Sequence, residues 1–200
     1  MIHDVTLIIP YNKDRGFLQQ AIDSVAGQIP SENILPIYGD VTVGANINTG
    51  LNQVKTKYWC AMGEDDLLTP NSIADRYRVI EQGYDFIHGR AVTFWQGNEV
   101  PYSMTKEEPT LEDMLTVNRI CGGTPMYRTG LGAWDESLTT AEEYDWHLKL
   151  LHAGHTIGFC DSVVYKWRRH DLQKSLGNKN RAYQERRQAI IKGIRKRYSL

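Results

Sequence analysis

Three adjacent carboxylates, Glu64-Asp65-Asp66, follow the apolar run Tyr58-Trp-Cys-Ala-Met62 and precede Leu67-Leu68-Thr69-Pro70-Asn71. Like charges this close repel one another, and the repulsion costs stability unless solvent or a cation relieves it. One or two carboxylates, with waters and substrate phosphates completing the shell, are the usual means of holding magnesium or manganese. Helix capping accounts for the same residues: Asp65 or Asp66 can start a helix leading to Ile80. Two other polar groups close apolar runs in the same way, Pro10-Tyr11-Asn12 and Gly39-Asp40. No G-x-G-x-x-G follows the first apolar run, and G-x-x-x-x-G-K-[ST] occurs nowhere, which argues against a dinucleotide oxidoreductase and a P-loop NTPase. Any phosphate bound here must be neutralised by something other than a glycine loop.

The elements that position these groups follow from periodicity. Val5–Ile9 is β-rich, ends at Pro10 and predicts a buried first strand. Phe17, Leu18, Ala21, Ile22 and Val25 recur at helical spacing, so residues 15–28 form an amphipathic helix. Ile34–Tyr38 is a second strand, Ala45, Ile47, Leu51 and Val54 mark a helix, and Tyr58–Met62 is a third strand. Ile73, Tyr77 and Ile80 mark the next helix, with strands at Tyr84–Ile87 and Ala91–Trp95. Alternating strands and helices at this spacing imply a parallel sheet with right-handed crossovers, and ligands of such a sheet bind beyond the carboxyl ends of its strands. Past residue 95 the pattern changes to a helix near 111–117, a glycine-rich stretch, a helix at 142–153, late strands at 156–160 and 163–167, and a terminal helix at 181–198. With no linker in sight, the expectation is one domain with a nucleotide-binding first half and an acceptor-side second half.

Two hundred residues with 41% hydrophobic content suit one well-formed core. Apolar runs such as Val5 to Pro10 are too short to span a bilayer, and no basic region followed by a long apolar stretch predicts a signal peptide. Cys60, Cys121 and Cys160 are far apart and lack zinc-site spacing. They read as buried, reduced thiols, and a cytoplasmic location is expected. The net charge of −1 hides a division. Residues 1–161 carry 11 Lys/Arg against 22 Asp/Glu, whereas residues 162–200 carry 12 against 2.

Six segments, in order over nearly the whole chain, resemble the family 2 glycosyltransferases. Thr6-Leu-Ile-Ile-Pro-Tyr-Asn12 is similar to the family's opening strand and P-x-Y-N loop, and Asn46-Ile-Asn-Thr-Gly-Leu51 to its A-R-N-x-G-L helix start. Gly63-Glu-Asp-Asp66 resembles its D-x-D-D metal motif, with Gly63 at the first aspartate. Gly132-Ala-Trp-Asp-Glu-Ser-Leu138 resembles G-x-F-D-E-x-L, and Ala141-Glu-Glu-Tyr-Asp-Trp146 the G-E-D-x-D-L block. Tyr165-Lys-Trp-Arg-Arg-His170, followed by Ser175, resembles the closing Y-x-x-R-x-H…S.

The resemblance implies a GT-A-type α/β fold with a mostly parallel central sheet flanked by helices. Residues 1–95 would form the nucleotide-sugar-binding half, 96–180 the acceptor and catalytic half, and 181–200 a basic C-terminal helix. It further implies a nucleotide-sugar donor (UDP-sugar by family frequency), a manganese or magnesium ion, a saccharide or other hydroxyl acceptor, and inversion at the anomeric carbon. By position, Asp65 and Asp66 match the metal motif, and His170 matches a histidine that completes the metal site or touches the diphosphate. Glu143 falls where the family has an aspartate base, with Asp145 as the competing carboxylate. Pro10, Tyr11, Asn12, Asp40, Asn48, Glu64, Asp65 and His170 fall on the donor side. Gly122-Gly123-Thr124 resembles the approach to the acceptor and also reads as an ordinary turn. Trp95, Trp134 and Trp146 are candidates for stacking on sugar faces, packing being the other reading of Trp134.

Residues 181–198 place Tyr183, Ile190, Ile191, Ile194 and Tyr198 on one helical stripe among basic residues. Such a helix can lie on an anionic membrane or pack on the acidic body. Packing is favoured, because the stripe is narrow and lacks Trp and Phe. Nucleic-acid binding is disfavoured, since only two tyrosines interleave the basic residues. Two other functions fit parts of the pattern. A nucleotide-sugar nucleotidyltransferase also uses carboxylates and a metal, but needs a glycine-rich basic loop where Pro10-Tyr11-Asn12-Lys13 stands. A catalytically silent nucleotide-sugar-binding module would accommodate Gly63 and Glu143.

Overall fold

A computed structural model describes residues 1–171, 173 and 181–199; Ser175 of the closing segment lies outside them. Strand β1 (Val5–Tyr11) is flanked on both sides by parallel partners, β2 (Ile34–Tyr38) and β3 (Tyr58–Ala61). Its aliphatics are consumed on both faces: Val5, Leu7 and Ile9 enter one core cluster and Ile8 the other, as a central strand with helices on each side requires. Helix α1 (Leu18–Val25) packs on the first cluster through Ala21 and Val25. Helix α2 (Val43–Leu51) is capped by the Thr42 hydroxyl, which accepts from Ala45 N at 3.2 Å, and lays Ile47 into the second cluster.

Beyond β3 come the two-residue β4 (Leu67–Leu68), helix α3 (Ser72–Ile80), the long strand β5 (Phe86–Trp95) and the short β6 (Asn98–Pro101). Helix α4 (Leu111–Thr116), β7 (Met126–Arg128), α5 (Glu142–His152), β8 (Ile157–Arg168) and α6 (Arg181–Tyr198) complete the chain. The sheet order is β2-β1-β3-β7-β5-β8-β4, with β6 on β5.

This sheet is mixed. The expected parallel arrangement holds for β2-β1-β3 and returns between β5 and β8, but β7 is antiparallel to both β3 and β5 and so reverses direction in the middle. At 3 residues, β7 is too short to show alternation and reads as part of the glycine-rich stretch. The paired pieces expected at 84–87 and 91–95, and at 156–160 and 163–167, are each one strand. Their register shifts between Gly89 and Ala91, where Arg90 Nε donates to Asp161 Oδ1 at 2.5 Å. Polar residues at that irregularity interrupt the apolar pattern without ending either strand.

The basic tail packs on the body. Ile194 and Tyr198 are buried in the second cluster, with Ile190 and Ile191 against it. Arg197 Nη1 donates to Asp145 Oδ1 at 2.9 Å and Asp135 Oδ2 at 3.2 Å, and Arg195 Nη2 to Thr116 O at 2.8 Å. The apolar stripe is thereby used within the chain, while Arg186, Lys192 and Lys196 face outward. Among the described residues, no helix is long and apolar enough to cross a membrane.

Candidate active site

Two adjoining cavities open at the carboxyl ends of β1 and β3. The smaller, about 310 Å³, is lined by Pro10, Tyr11 and Asn12 from the end of β1, Arg15 from the loop after it, and Asn46 from α2. The larger, about 410 Å³, holds Glu143, Trp134, Tyr102, Trp167 and the Gly122-Gly123 pair. Glu64 and Asp65 line both, so the carboxylate turn after β3 forms the shared lip.

The lip is a tight turn. A Cβ on Gly63 would lie 2.8 Å from Asp65 Oδ1 and 3.0 Å from Asp66 Oδ2, so the small residue lets the carboxylates fold back over it. Asp65 is partly exposed, and its Oδ2 lies 2.9 Å from His170 Nε2. His170 returns on the chain after β8 and packs its ring 5.1 Å from Phe17; its Nδ1 is buried without a partner. Glu64 is nearly buried and pairs with Arg15. Burial and then the neighbouring Asp65 charge push its carboxyl above the ordinary range, against the pull of Arg15.

Asp66 lines neither cavity. It is 5% exposed, accepts the Tyr165 hydroxyl on Oδ2, and accepts Arg168 N–H on Oδ1 at 2.7 Å. Expected to face a metal, it is turned instead toward β8, because pairing of β4 with β8 brings those donors onto both oxygens. Desolvation, with Asp65 beside it, holds its carboxyl well above the ordinary value. The capping alternative for this cluster is not realised, since α3 begins six residues later at Ser72 with Asn71 before it.

Three other expected donor-side residues stay off the cleft lining: His170, described above, Asp40 and Asn48. Asp40 is exposed and lines neither cavity. Asn48 ties α2 to the 134–136 loop, donating to Trp134 O at 3.0 Å and Glu136 Oε1 at 2.8 Å and accepting from Trp134 N at 2.9 Å. Its neighbour Asn46 takes the cleft position: buried, it donates to Gly39 O at 3.0 Å and Tyr11 O at 3.5 Å, joining the ends of β2 and β1. Of the three tryptophans, only Trp134 lines the larger cavity; Trp146 is core and Trp95 stands at the exposed end of β5.

Glu143 sits in the first turn of α5, on the wall of the larger cavity. A Cβ on Gly122 would lie 2.8 Å from its Cγ, and one on Gly123 would lie 2.0 Å from Tyr165 Cζ. The glycine pair is therefore more than a turn: it admits the carboxylate on one side and the Tyr165 ring, which reaches Asp66, on the other. Ala141, which leads into α5, is left-handed at φ 61°, a conformation costing a non-glycine residue roughly 1–2 kcal/mol. Asp145, the competing carboxylate, is 2% exposed, accepts from Arg197 and Tyr198, and lines neither cavity.

The sequence reading did not place Arg15, Tyr102, Trp167, Gln173, Tyr183 or Arg187 in the site, though all of them line the cavities. Their signal is topological: 102 and 167 meet because β6 folds back on β5, which pairs in parallel with β8, and 183 and 187 because α6 folds back.

Among the described residues, no group of three or more His, Cys, Asp or Glu side chains is gathered to hold a metal alone. Asp65 supplies one carboxylate at the shared lip, and His170, which lines neither cavity, stands directly behind it with Nε2 2.9 Å from Asp65 Oδ2. That donor set fits a divalent ion which also takes ligands from a bound diphosphate and water.

This fold is that of the GT-A glycosyltransferases. The chain superimposes on Staphylococcus aureus TarS residues 1–349 in complex with UDP-GlcNAc with a TM-score of 0.69 at 18% identity, over 85% of this chain and 60% of that one. For the TarS complex with UDP the TM-score is 0.67, also at 18% identity, over 83% and 60%. In sequence it is similar to an uncharacterized glycosyltransferase of Rickettsia typhi, 26% identical over 208 residues, 84% of this chain and 65% of that protein. Another from Rickettsia felis is 24% identical over 220 residues, 88% of this chain and 36% of that one. The chain thus spans less than two thirds of these relatives' lengths. No protein-family model matches the sequence.

Proposed function

We propose that the protein is an inverting glycosyltransferase of the family 2 type, transferring a sugar from a UDP-sugar to an acceptor hydroxyl. The observation that carries this reading is the division of the cleft: two cavities meet at Glu64–Asp65, and Glu143 belongs to only one of them. The smaller cavity takes the nucleotide, with Tyr11 and Asn12 beside the base and ribose and Asn46 fixing the strand ends that hold them. The larger takes the acceptor, with Trp134, Tyr102 and Trp167 offering apolar faces to a sugar ring. The UDP and UDP-GlcNAc complexes of TarS, which shares the fold, favour a uridine donor.

Glu143 accepts the proton of the acceptor hydroxyl as its oxygen forms a bond to the anomeric carbon. The bond from that carbon to the diphosphate breaks on the opposite side, and the electron pair leaves with the diphosphate. A manganese or magnesium ion bound by Asp65 and His170 would supply Lewis-acid stabilisation of that departing charge. Asp66 braces the turn from beneath, holding Asp65 toward the donor.

The test is release of UDP from a panel of UDP-sugars and other nucleotide sugars, with and without manganese. Manganese-dependent release from a UDP-sugar is the expected result. UDP binding with no release from any sugar on the panel would leave a silent binding module instead.

A further inference from the structure

We infer that Arg15 is a ligand of the donor diphosphate, held in place by Glu64 until the donor arrives. The inference rests on the donor reading of the smaller cavity and adds a protein cation to it. Among the described residues lining that cavity, Arg15 is the single Lys or Arg, set against Glu64 and Asp65. Without Arg15 the lining would present two carboxylates and no Lys or Arg, which repels a diphosphate. Something must reverse that balance locally.

Arg15 is placed to do so. Residues 12–14 and Gly16 around it are exposed, yet its own side chain is only 25% exposed. The loop turns through Gly16 at φ 83°, where Asp14 Oδ1 accepts Gly16 N–H at 2.7 Å, and this turn directs Arg15 inward. The guanidinium spends one nitrogen on the protein: Nη1 donates to Glu64 Oε1 and, at 3.4 Å, to Lys13 O. Nε and Nη2 have no partner among the described residues. A planar fork with two free donor nitrogens suits phosphate oxygens better than it suits one carboxylate oxygen. Glu64, on the shared lip, keeps the fork pointed across the cavity in the absence of donor. When the diphosphate enters, the guanidinium exchanges a single carboxylate contact for a bidentate one, and the departing charge meets a fixed cation besides the metal.

Calorimetric titrations of UDP and uridine onto the full chain, in chelator and in manganese, test this with Arg15→Gln, Arg15→Lys and Glu64→Gln. In chelator, Arg15→Gln is expected to weaken UDP about tenfold or more and to leave uridine unchanged. Arg15→Lys should restore part of the loss. Glu64→Gln, which frees the guanidinium, should bind UDP at least as tightly as the parent. Equal UDP affinity in parent and Arg15→Gln overturns the inference while the donor reading stands. Equal losses for UDP and uridine overturn it too, since Arg15 would then shape the pocket and not meet the phosphates. A folded parent chain that binds neither UDP nor uridine defeats the donor reading itself.

Discussion

The two cavities differ in how the chain builds them. The smaller is assembled from the ends of β1 and β3 and the start of α2, that is from residues 10–15, 41–46 and 64–65, with only Thr139 and Gln173 arriving from further on. Its wall is polar and carries Arg15, Glu64 and Asp65. The larger takes residues 10, 43, 47 and 61–65 from the same strand ends and α2 but adds 102, 118, 120–123, 134, 140–143, 165, 167, 183 and 187, brought together by antiparallel β7, the long β5–β8 pair and the returning α6. Beyond the shared lip, its wall is aromatic and glycine-rich around Glu142 and Glu143. A parallel unit delivers its strand ends to one edge, so its site is local in sequence; the mixed half must gather distant segments, so its site depends on packing. Chemistry and specificity are thereby separated: damage to the first region should appear in donor affinity, and damage to the second in turnover and stability.

The largest expected effect breaks turnover without touching the donor. Glu143→Gln keeps the size of the side chain in the larger cavity and removes its ability to take a proton. Turnover should fall by roughly two to four orders of magnitude with UDP affinity unchanged. Asp145→Asn is the control, because Asp145 is buried under Arg197 and Tyr198. It should lower stability by about 1–3 kcal/mol through a weakened charged network, with per-molecule turnover retained. The reverse pattern would move the base to Asp145 and dissolve the division between the cavities.

A smaller effect probes packing on the acceptor side. Gly123→Ala forces a methyl into the buried Tyr165 ring, 2.0 Å from Cζ, and should cost about 1–3 kcal/mol of stability by overpacking. Since Tyr165 donates to Asp66, acceptor-dependent turnover should drop with it. Urea unfolding and initial rates check this together; parental stability in that variant would mean the loop yields freely and the glycine pair is an ordinary turn.

The same contrast explains what was legible in the sequence. The α/β class, the placement of β1, β2, β3, α2, α5 and α6, and the strand-end location of Pro10, Tyr11, Asn12, Glu64 and Asp65 all follow from periodicity and breakers over short windows. What escaped depends on long-range pairing. β7 reverses the sheet with three residues, β4 pairs with two, and neither length carries a period. Asn46 and Asn48 lie two positions apart on α2 and so face different ways; which of them meets the strand ends depends on the rotation of the helix against β1. Asp66 looks equivalent to Asp65 in the chain, and only the pairing of β4 with β8 separates a buried brace from a partly exposed lip. Trp167 and Arg187 reach the cavity through β8 and α6, elements whose destination no local pattern reveals.

The smallest effect extends the comparison to acid. Each half buries ionisable groups, but with opposite consequences. On the donor side, Asp66 has its carboxyl raised well above the ordinary value by burial. Any stability from such a group is present at low pH and lost as pH rises through its folded value, so acid does not strip it away. In the mixed half of the sheet and the helix packed on it, His88 of β5 and His147 of α5 are fully buried and lowered by desolvation to about 4 and about 3. His88 Nε2 donates to Glu107 O at 2.8 Å and His147 Nε2 pairs with the Tyr127 hydroxyl at 2.8 Å, while both Nδ1 atoms are buried without partners. Protonation would add an N–H with no acceptor. The unfolded chain, with ordinary histidines near 6.5, takes up these protons first, so stability is full above that value and declines as pH falls toward 4. Each histidine should contribute a slope of about 1 kcal/mol per pH unit below 6.5. Urea unfolding from pH 7.5 to 5 measures the total, and His88→Gln, whose amide reaches toward Glu107 O, should remove about half of it. A parent chain whose stability is flat over that range, or a His88→Gln variant with the parental slope, would mean that the mixed half is no more acid-sensitive than the donor side.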